Sequence, residues 1–140
     1  MATTTFKYSA RLIAVLLFAL APDLVQAQSW QFNSREVALK SGETTEVTDL
    51  YWVTNCKSLL TAPPEVTIMD GPPGVTAAVE EAMVMPRLQQ CSKPVKGGKL
   101  RLTAGTIDDQ TNSLMTLRVR FKTRDGDRDQ AITLKIVLFP

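Results

Sequence analysis

The sequence predicts an all-β sandwich of about seven short strands, and three observations lead to that fold class. Apolar and polar residues alternate with a period of two in several segments, most clearly over residues 115–122 and 132–138, as in strands with one buried face. Turns rich in proline and glycine separate these segments. No segment has the apolar spacing of a convincing amphipathic helix.

The first 27 residues are predicted to be a secretory signal peptide that is cleaved from the mature protein. Lys7 and Arg11 precede an apolar run, residues 12–21, and residues 25–27 place small side chains where a signal peptidase reads them. The apolar run is about half the length needed to span a bilayer, so a membrane anchor is the less favoured alternative. Gln28 is therefore the expected N-terminus.

Residues 28–140 are predicted to form one domain of 140 − 27 = 113 residues. Loss of Lys7, Arg11 and Asp23 with the signal peptide leaves 16 − 2 = 14 basic and 14 − 1 = 13 acidic residues, a net charge of +1. This near-neutral balance argues against nucleic acid as a partner. No later segment has the length and apolarity of a transmembrane helix.

Alternation and turn residues place the strands in order along the mature chain. The first extended segment carries the apolar residues Trp30, Phe32, Val37 and Leu39 and ends at Ser41–Gly42. Further strands are expected at residues 43–53, 66–69, 75–79 and 99–104, followed by a final hairpin after residue 113. Two long connections that contain prolines, residues 54–65 and 80–98, interrupt this series.

The final hairpin is expected to turn at Asp125–Gly126, because this dipeptide favours a two-residue β-turn. Paired residue numbers would then sum to 251, which places Val119 opposite Ile132. The same register would place Lys122 opposite Asp129 and Arg124 opposite Asp127. Apolar faces and charge pairs thus agree on one register.

The two cysteines, Cys56 and Cys91, both lie in the exported part of the chain. In an oxidising compartment such a pair predicts one disulfide. It would close a loop of about 36 residues, which is worth roughly 4 kcal/mol in the chain-entropy model. A redox-active thiol pair is disfavoured, because the spacing is far from that of a C-x-x-C motif.

Residues 35–140 resemble the immunoglobulin-like β-sandwiches of many secreted bacterial proteins. The segment Tyr51-Trp52-Val53-Thr54-Asn55-Cys56 is also similar to one found in a group of small uncharacterised secreted bacterial proteins. This resemblance implies a fold of about seven antiparallel strands, and it implies no activity. In such a sandwich the connections that hold Cys56 and Cys91 lie at the same pole as the final turn. The chain departs from antibody-type domains, because its tryptophan precedes the first cysteine and it has no tyrosine corner.

The catalytic inventory consists mostly of absences. The chain has no histidine, which excludes Ser-His and Cys-His nucleophiles and histidine metal ligands. The adjacent acids Asp108–Asp109 and Glu80–Glu81 are more typical of solvated charge than of a glycosidase pair. We therefore predict that the protein is not an enzyme and has no catalytic residue, cofactor or metal site.

Three other residue sets admit a functional interpretation, but a structural one is favoured for each. They are the alternating acids Asp125, Asp127 and Asp129 (calcium), the methionines Met69, Met83, Met85 and Met115 (a soft metal), and the aromatic residues Trp30, Tyr51 and Trp52 (a sugar). Turn chemistry explains the acids, and adaptable core filling explains the methionines. Core packing explains the aromatic residues.

Two basic surfaces are candidate partner-binding sites, with solvated surface charge as the alternative for each. The first, at the pole of the two long connections, is formed by Lys57, Arg87, Lys93 and Lys96. The competing surface is a ridge on the final hairpin, formed by Arg118, Arg120, Lys122 and Lys135.

These features together predict a non-catalytic binding or interaction module of the bacterial cell envelope, located in the periplasm or secreted. Its partner would be an unknown protein or an anionic envelope polymer. The alternative is a small envelope hydrolase or an enzyme inhibitor.

Overall fold

The computed structural model describes residues 35–87 and 90–140. The predicted signal peptide at residues 1–27 and the aromatic residues Trp30 and Phe32 lie outside the described residues. All the described residues belong to one compact unit.

Nine strands account for the regular structure of the described residues. They are β1 (Arg35–Lys40), β2 (Thr44–Leu50), β3 (Val53–Thr54), β4 (Lys57–Ser58), β5 (Glu65–Asp70), β6 (Val75–Val84), β7 (Val95–Ala104), β8 (Thr111–Thr123) and β9 (Gly126–Phe139). They form a four-stranded sheet in the order β1-β9-β8-β5, a three-stranded sheet in the order β2-β7-β6, and a small β3-β4 hairpin. Within the described ranges there is no helix that could cross a membrane. The all-β prediction is confirmed.

The two larger sheets pack face to face around one hydrophobic core. The four-stranded sheet contributes fully buried side chains such as Leu39, Leu117 and Phe121, and the three-stranded sheet contributes Leu100 and Leu102. Burial of each such side chain stabilises the folded state by about 1.5–3 kcal/mol. The alternating apolar residues of the sequence therefore produce a β-sandwich, with its core between the sheets.

Strand β1 pairs with β9 in parallel, so the expectation of antiparallel strands throughout is wrong for this pair. The cause lies in residues 41–43, which cross from one sheet to the other instead of forming a hairpin within one sheet. The Ser41 N–H donates to the Phe139 carbonyl at 2.9 Å, and the Gly42 N–H donates to the Ala104 carbonyl at 3.1 Å. Gly42 has a φ of +76°, which glycine adopts without steric strain.

The β8–β9 hairpin differs from the expected register by two residues. Thr123 pairs with Gly126, so paired numbers sum to 123 + 126 = 249 and the turn residues are Arg124 and Asp125. The buried Thr123 hydroxyl fixes this turn, because it donates to the Gly126 carbonyl at 2.6 Å and accepts from the Asp125 N–H at 3.3 Å. A shift of two keeps every side chain on its predicted face.

The register shift changes the charge pairs of this hairpin. The structure places Asp129 opposite Arg120 and Asp127 opposite Lys122. The predicted pairs of Lys122 with Asp129 and of Arg124 with Asp127 are therefore wrong.

The connection predicted at residues 80–98 is shorter in the structure, because β6 extends to Val84 and β7 begins at Val95. Gly97 and Gly98 lie inside β7, the central strand of its sheet. A Cβ atom on Gly97 would lie 2.3 Å from the Leu50 carbonyl oxygen. These glycines therefore permit a close approach of neighbouring strands.

The interpretation of the methionines as core filler is wrong for three of the four. Met115 is fully buried, whereas Met69, Met83 and Met85 are exposed. Met69 is the extra residue of a bulge in the edge strand β5. Met83 and Met85 lie at and just beyond the end of β6, the edge strand of the other sheet.

Candidate functional site

A disulfide between Cys56 and Cys91 joins the β2–β5 connection to the β6–β7 connection, as the sequence predicts. Cys56 stands at the tip of the β3–β4 hairpin, and the turn residues Asn55 and Cys56 have φ angles of +50° and +59°. Two consecutive left-handed residues are typical of a tight two-residue hairpin turn. The disulfide thus holds this small hairpin against the other connection.

The β2–β5 connection also runs alongside the β8–β9 turn. Leu60 forms an isolated antiparallel bridge with Thr123. On one side of it the Arg124 N–H donates to the Leu59 carbonyl at 3.1 Å, and on the other the Thr61 N–H donates to the Lys122 carbonyl at 2.9 Å. The three connections therefore meet at one pole, as expected.

The four cations predicted at this pole are all exposed. Lys57 lies in β4, Lys96 lies in β7, and Arg87 and Lys93 lie in the connection between β6 and β7. Two backbone contacts position them: the Ser58 hydroxyl donates to the Lys96 carbonyl at 2.9 Å, and the Arg87 N–H donates to the Tyr51 hydroxyl at 3.3 Å.

Arg124 is a fifth cation at the pole, and the sequence reasoning missed it. The wrong hairpin register placed Arg124 in a cross-strand pair, whereas the structure places it in the turn. Its guanidinium Nη2 donates to the Ser58 carbonyl at 3.4 Å. A turn set at residues 124 and 125 would have revealed it. We call the set Lys57, Arg87, Lys93, Lys96 and Arg124 the basic pole.

Ion pairs within the described part of the chain do not neutralise the charges of the basic pole. In residues 35–87 and 90–140, none of its five side chains forms an ion pair with a carboxylate. The exposed Asp125, the other residue of the same turn, is the acid nearest to Arg124 along the chain. The pole therefore presents a net positive charge on a cross-linked scaffold.

The ridge of the final hairpin has a different electrostatic character, because three of its four cations are paired. Arg120 contacts Asp129 at 2.9 Å, Lys122 contacts Glu65 at 3.0 Å, and Lys135 contacts Glu36 at 2.9 Å. The hydrogen bond from Arg120 lowers the pKa of Asp129 below its ordinary value, and Arg118 adds a weaker attraction. Most of the ridge charge is thus balanced within the sheet.

A cleft of about 360 Å³ lies beside β2 and β9 and was not predicted from the sequence. Its lining includes Arg35, Asp49, Phe121, Gln130 and Ile132. A bulge at Val47 takes this residue out of register with β7, and the Arg35 guanidinium donates to the Val47 carbonyl. Among the described residues that line the cleft, Asp49 is the carboxylate and Arg35 the cation.

Trp52 and Tyr51, considered above as part of a sugar site, make contacts within the fold. Trp52 packs against the core residue Phe121, with ring centroids 5.4 Å apart, and the Tyr51 hydroxyl accepts the Arg87 N–H. The described part of the chain contains no cluster of three or more residues that could hold a metal ion.

Comparisons with protein-family models, with curated proteins and with solved structures give no significant match to this chain. The interpretation of the surfaces therefore depends on their geometry and charge.

Proposed function

We propose that this chain is an exported, non-catalytic binding module of the bacterial cell envelope, and that its basic pole binds an anionic partner. The partner is a protein with an acidic surface or an anionic envelope polymer. The observation that carries the proposal is a contrast within the described residues: the cations of the basic pole form no ion pair with a carboxylate, whereas three of the four ridge cations do.

An immunoglobulin-like sandwich is part of this proposal. Apart from the small β3–β4 hairpin, seven strands form the two sheets, and β1 lies beside β9 in the sheet of β8 and β5. The connections at one end of such sandwiches commonly form binding sites. The disulfide is compatible with a periplasmic or extracellular location, and the charged, apolar and small-residue order at the N-terminus supports export.

An anionic partner should bind the basic pole at a lower energetic cost than the ridge. An anionic partner that binds the ridge would have to compete with Asp129, Glu65 and Glu36 for the cations there. Among the described residues, no carboxylate forms an ion pair with a cation of the basic pole, so a partner would not have to displace one. Its connections are also tied by a disulfide and by hydrogen bonds, which lowers the entropy lost when a partner binds.

Charge reversal tests the proposal with matched variants. We expect Lys93→Glu/Lys96→Glu to weaken binding of the mature protein to immobilised polyphosphate or polyglutamate about tenfold or more, equivalent to about 1.4 kcal/mol. The control Lys40→Glu/Arg118→Glu changes the net charge equally on the outer face of the four-stranded sheet. We expect that control to change binding less than about twofold. Biolayer interferometry at several salt concentrations measures both effects.

Circular dichroism confirms that each variant is folded. Equal losses in the two variants, a larger loss in the control, or no binding of the unmodified protein to either polyanion would contradict the proposal. Binding to polyphosphate alone would favour an envelope polymer, and binding to polyglutamate alone would favour an acidic protein.

A further inference from the structure

Two exposed methionines lie beside the cations of the basic pole. Met83 is 57% exposed and Met85 is 42% exposed, although methionine is among the residue types that are most often buried. Met83 pairs with the exposed Lys96 across β6 and β7, and directly paired residues of an antiparallel sheet project from the same face. Apolar and cationic side chains are therefore neighbours on the outer face of the three-stranded sheet.

The alternation of buried and exposed residues continues past the end of β6 and adds a second cation. Val84 and Pro86 are buried. Met83, Met85 and Arg87, which alternate with them, are exposed. Met85 and Arg87 also line one depression of the surface. The exposed row thus ends at the pole with two methionines and an arginine.

Two further cations of the basic pole are connected to this row through Ser58. The Ser58 hydroxyl donates to the Lys96 carbonyl at 2.9 Å, and the Ser58 carbonyl accepts from the Arg124 guanidinium at 3.4 Å. Lys57 precedes Ser58 in β4. These contacts place positive charge beside the methionines from three different elements of the fold.

The carboxylates around the row leave this positive charge in place. Glu81 lies at the end of the exposed row away from the pole, and among the described residues it forms no ion pair with Lys96. Glu46 and Asp49 line the same depression as Met85, but Lys99 contacts them at 2.7 and 3.7 Å. The surface that includes the methionines is therefore both apolar and cationic.

We propose that this surface of the basic pole binds an anionic lipid bilayer, with Met83 and Met85 inserted among the lipid headgroups. A dissolved polyanion offers only charge, whereas a bilayer of acidic phospholipids offers charge and an apolar layer directly beneath it. The surface matches both properties of the bilayer. The inference rests on the proposed function in one respect, because both need the positive charge of the basic pole, and it goes further by naming a lipid surface as partner.

The side chains are suited to the boundary between headgroups and acyl chains. Methionine is unbranched and flexible, so it needs no preformed pocket in order to insert. Lysine and arginine keep their charged ends beside phosphate groups while their alkyl stems cover apolar surface. The attraction between these cations and anionic lipids acts over about 8 Å at physiological ionic strength. Binding should therefore be reversible and should weaken as salt is added.

Flotation of the mature protein with lipid vesicles tests the proposal. The vesicles contain equal amounts of phosphatidylglycerol and phosphatidylcholine. We expect Met83→Gln/Met85→Gln to weaken binding about fivefold or more, because the amide group opposes insertion into an apolar layer. The control Met69→Gln/Leu114→Gln replaces two exposed apolar residues of the four-stranded sheet, and we expect it to change binding less than about twofold.

Binding to polyglutamate and polyphosphate distinguishes this inference from the proposed function. Met83→Gln/Met85→Gln should change binding to either polyanion less than about twofold, whereas Lys93→Glu/Lys96→Glu should weaken binding to polyanions and to vesicles alike. A protein that binds a polyanion but not the anionic vesicles would overturn the lipid inference and leave the proposed function intact. A protein that binds neither would overturn both.

Three other outcomes would also overturn the lipid inference. They are equal losses of vesicle binding in the two glutamine variants, equally strong binding to vesicles of phosphatidylcholine alone, and a loss of polyglutamate binding in Met83→Gln/Met85→Gln as large as its loss of vesicle binding. The last outcome would indicate that the methionines contact an acidic protein. Circular dichroism confirms that each variant is folded.

Discussion

At the scale of single residues, Gly97 shows how closely β2, β6 and β7 pack. An added Cβ atom would lie 2.3 Å from the Leu50 carbonyl oxygen and 2.7 Å from Val84 Cγ2. Because the first obstacle is backbone, Gly97→Ala should lower the free energy of unfolding by about 2 kcal/mol or more. Gly105→Ala is the control, since its closest contact would be 3.2 Å. Urea denaturation that finds equal losses in both variants would contradict this explanation.

The glycines also show what the sequence could reveal about single positions. Gly97–Gly98 reads as a turn signal, because turns and close strand contacts both favour glycine. The two uses of glycine differ in whether another strand lies close by, and here the Leu50 carbonyl of the neighbouring strand does. That proximity in the fold cannot be read from the order of the residues. The burial of Leu100 and Leu102, in contrast, follows from their alternation with polar residues and was predicted.

At the scale of elements, the β8–β9 hairpin separates what was predictable from what was not. Its faces follow from the alternation of apolar residues, and the structure confirms them. Its cross-strand partners depend on which two residues form the turn, and the Thr123 hydroxyl favours Arg124 and Asp125 because it bonds to the Asp125 N–H and to the Gly126 carbonyl. A single side-chain contact of this kind leaves no repeating pattern in the sequence. The charge pairs of the ridge and the position of Arg124 in the turn were therefore not predicted.

The Arg120–Asp129 pair of this hairpin predicts a dependence of stability on pH. The hydrogen bond from Arg120 lowers the pKa of Asp129 from its ordinary value of 3.8. The pair therefore stabilises the fold above about pH 3.8, and its contribution is lost as the pH falls through the lowered pKa. We expect Asp129→Asn to lower the melting temperature slightly at pH 7, with the difference vanishing in stronger acid.

Asp108→Asn is the control for this measurement, because Asp108 is exposed and forms no ion pair with the described residues. Melting curves at low salt should show the difference for Asp129→Asn alone. A difference that persists unchanged in acid strong enough to protonate Asp129 would argue that the variant acts through packing and not through charge.

At the scale of the whole molecule, fold class and disulfide were predictable, and the crossing of β1 between sheets was not. Alternation shows which residues are buried, but both sheets of a sandwich have the same alternation. The parallel pairing of β1 with β9 depends on the path of residues 41–43, which hydrogen bonds to Phe139 and Ala104 fix. The pole of long connections was predicted through resemblance, and the disulfide between Cys56 and Cys91 is consistent with it.

The same disulfide supports the last prediction, which concerns the stability of the whole sandwich. Cys56→Ser/Cys91→Ser should lower the free energy of unfolding by about 4 kcal/mol, because the cross-link restricts the unfolded chain. Cys56 has a φ of +59°, where glycine avoids a steric penalty. Cys56→Gly/Cys91→Ser should therefore be about 1 kcal/mol more stable than the double serine variant. Equal stability of the two variants in urea denaturation would mean that the hairpin turn relaxes once the disulfide is removed.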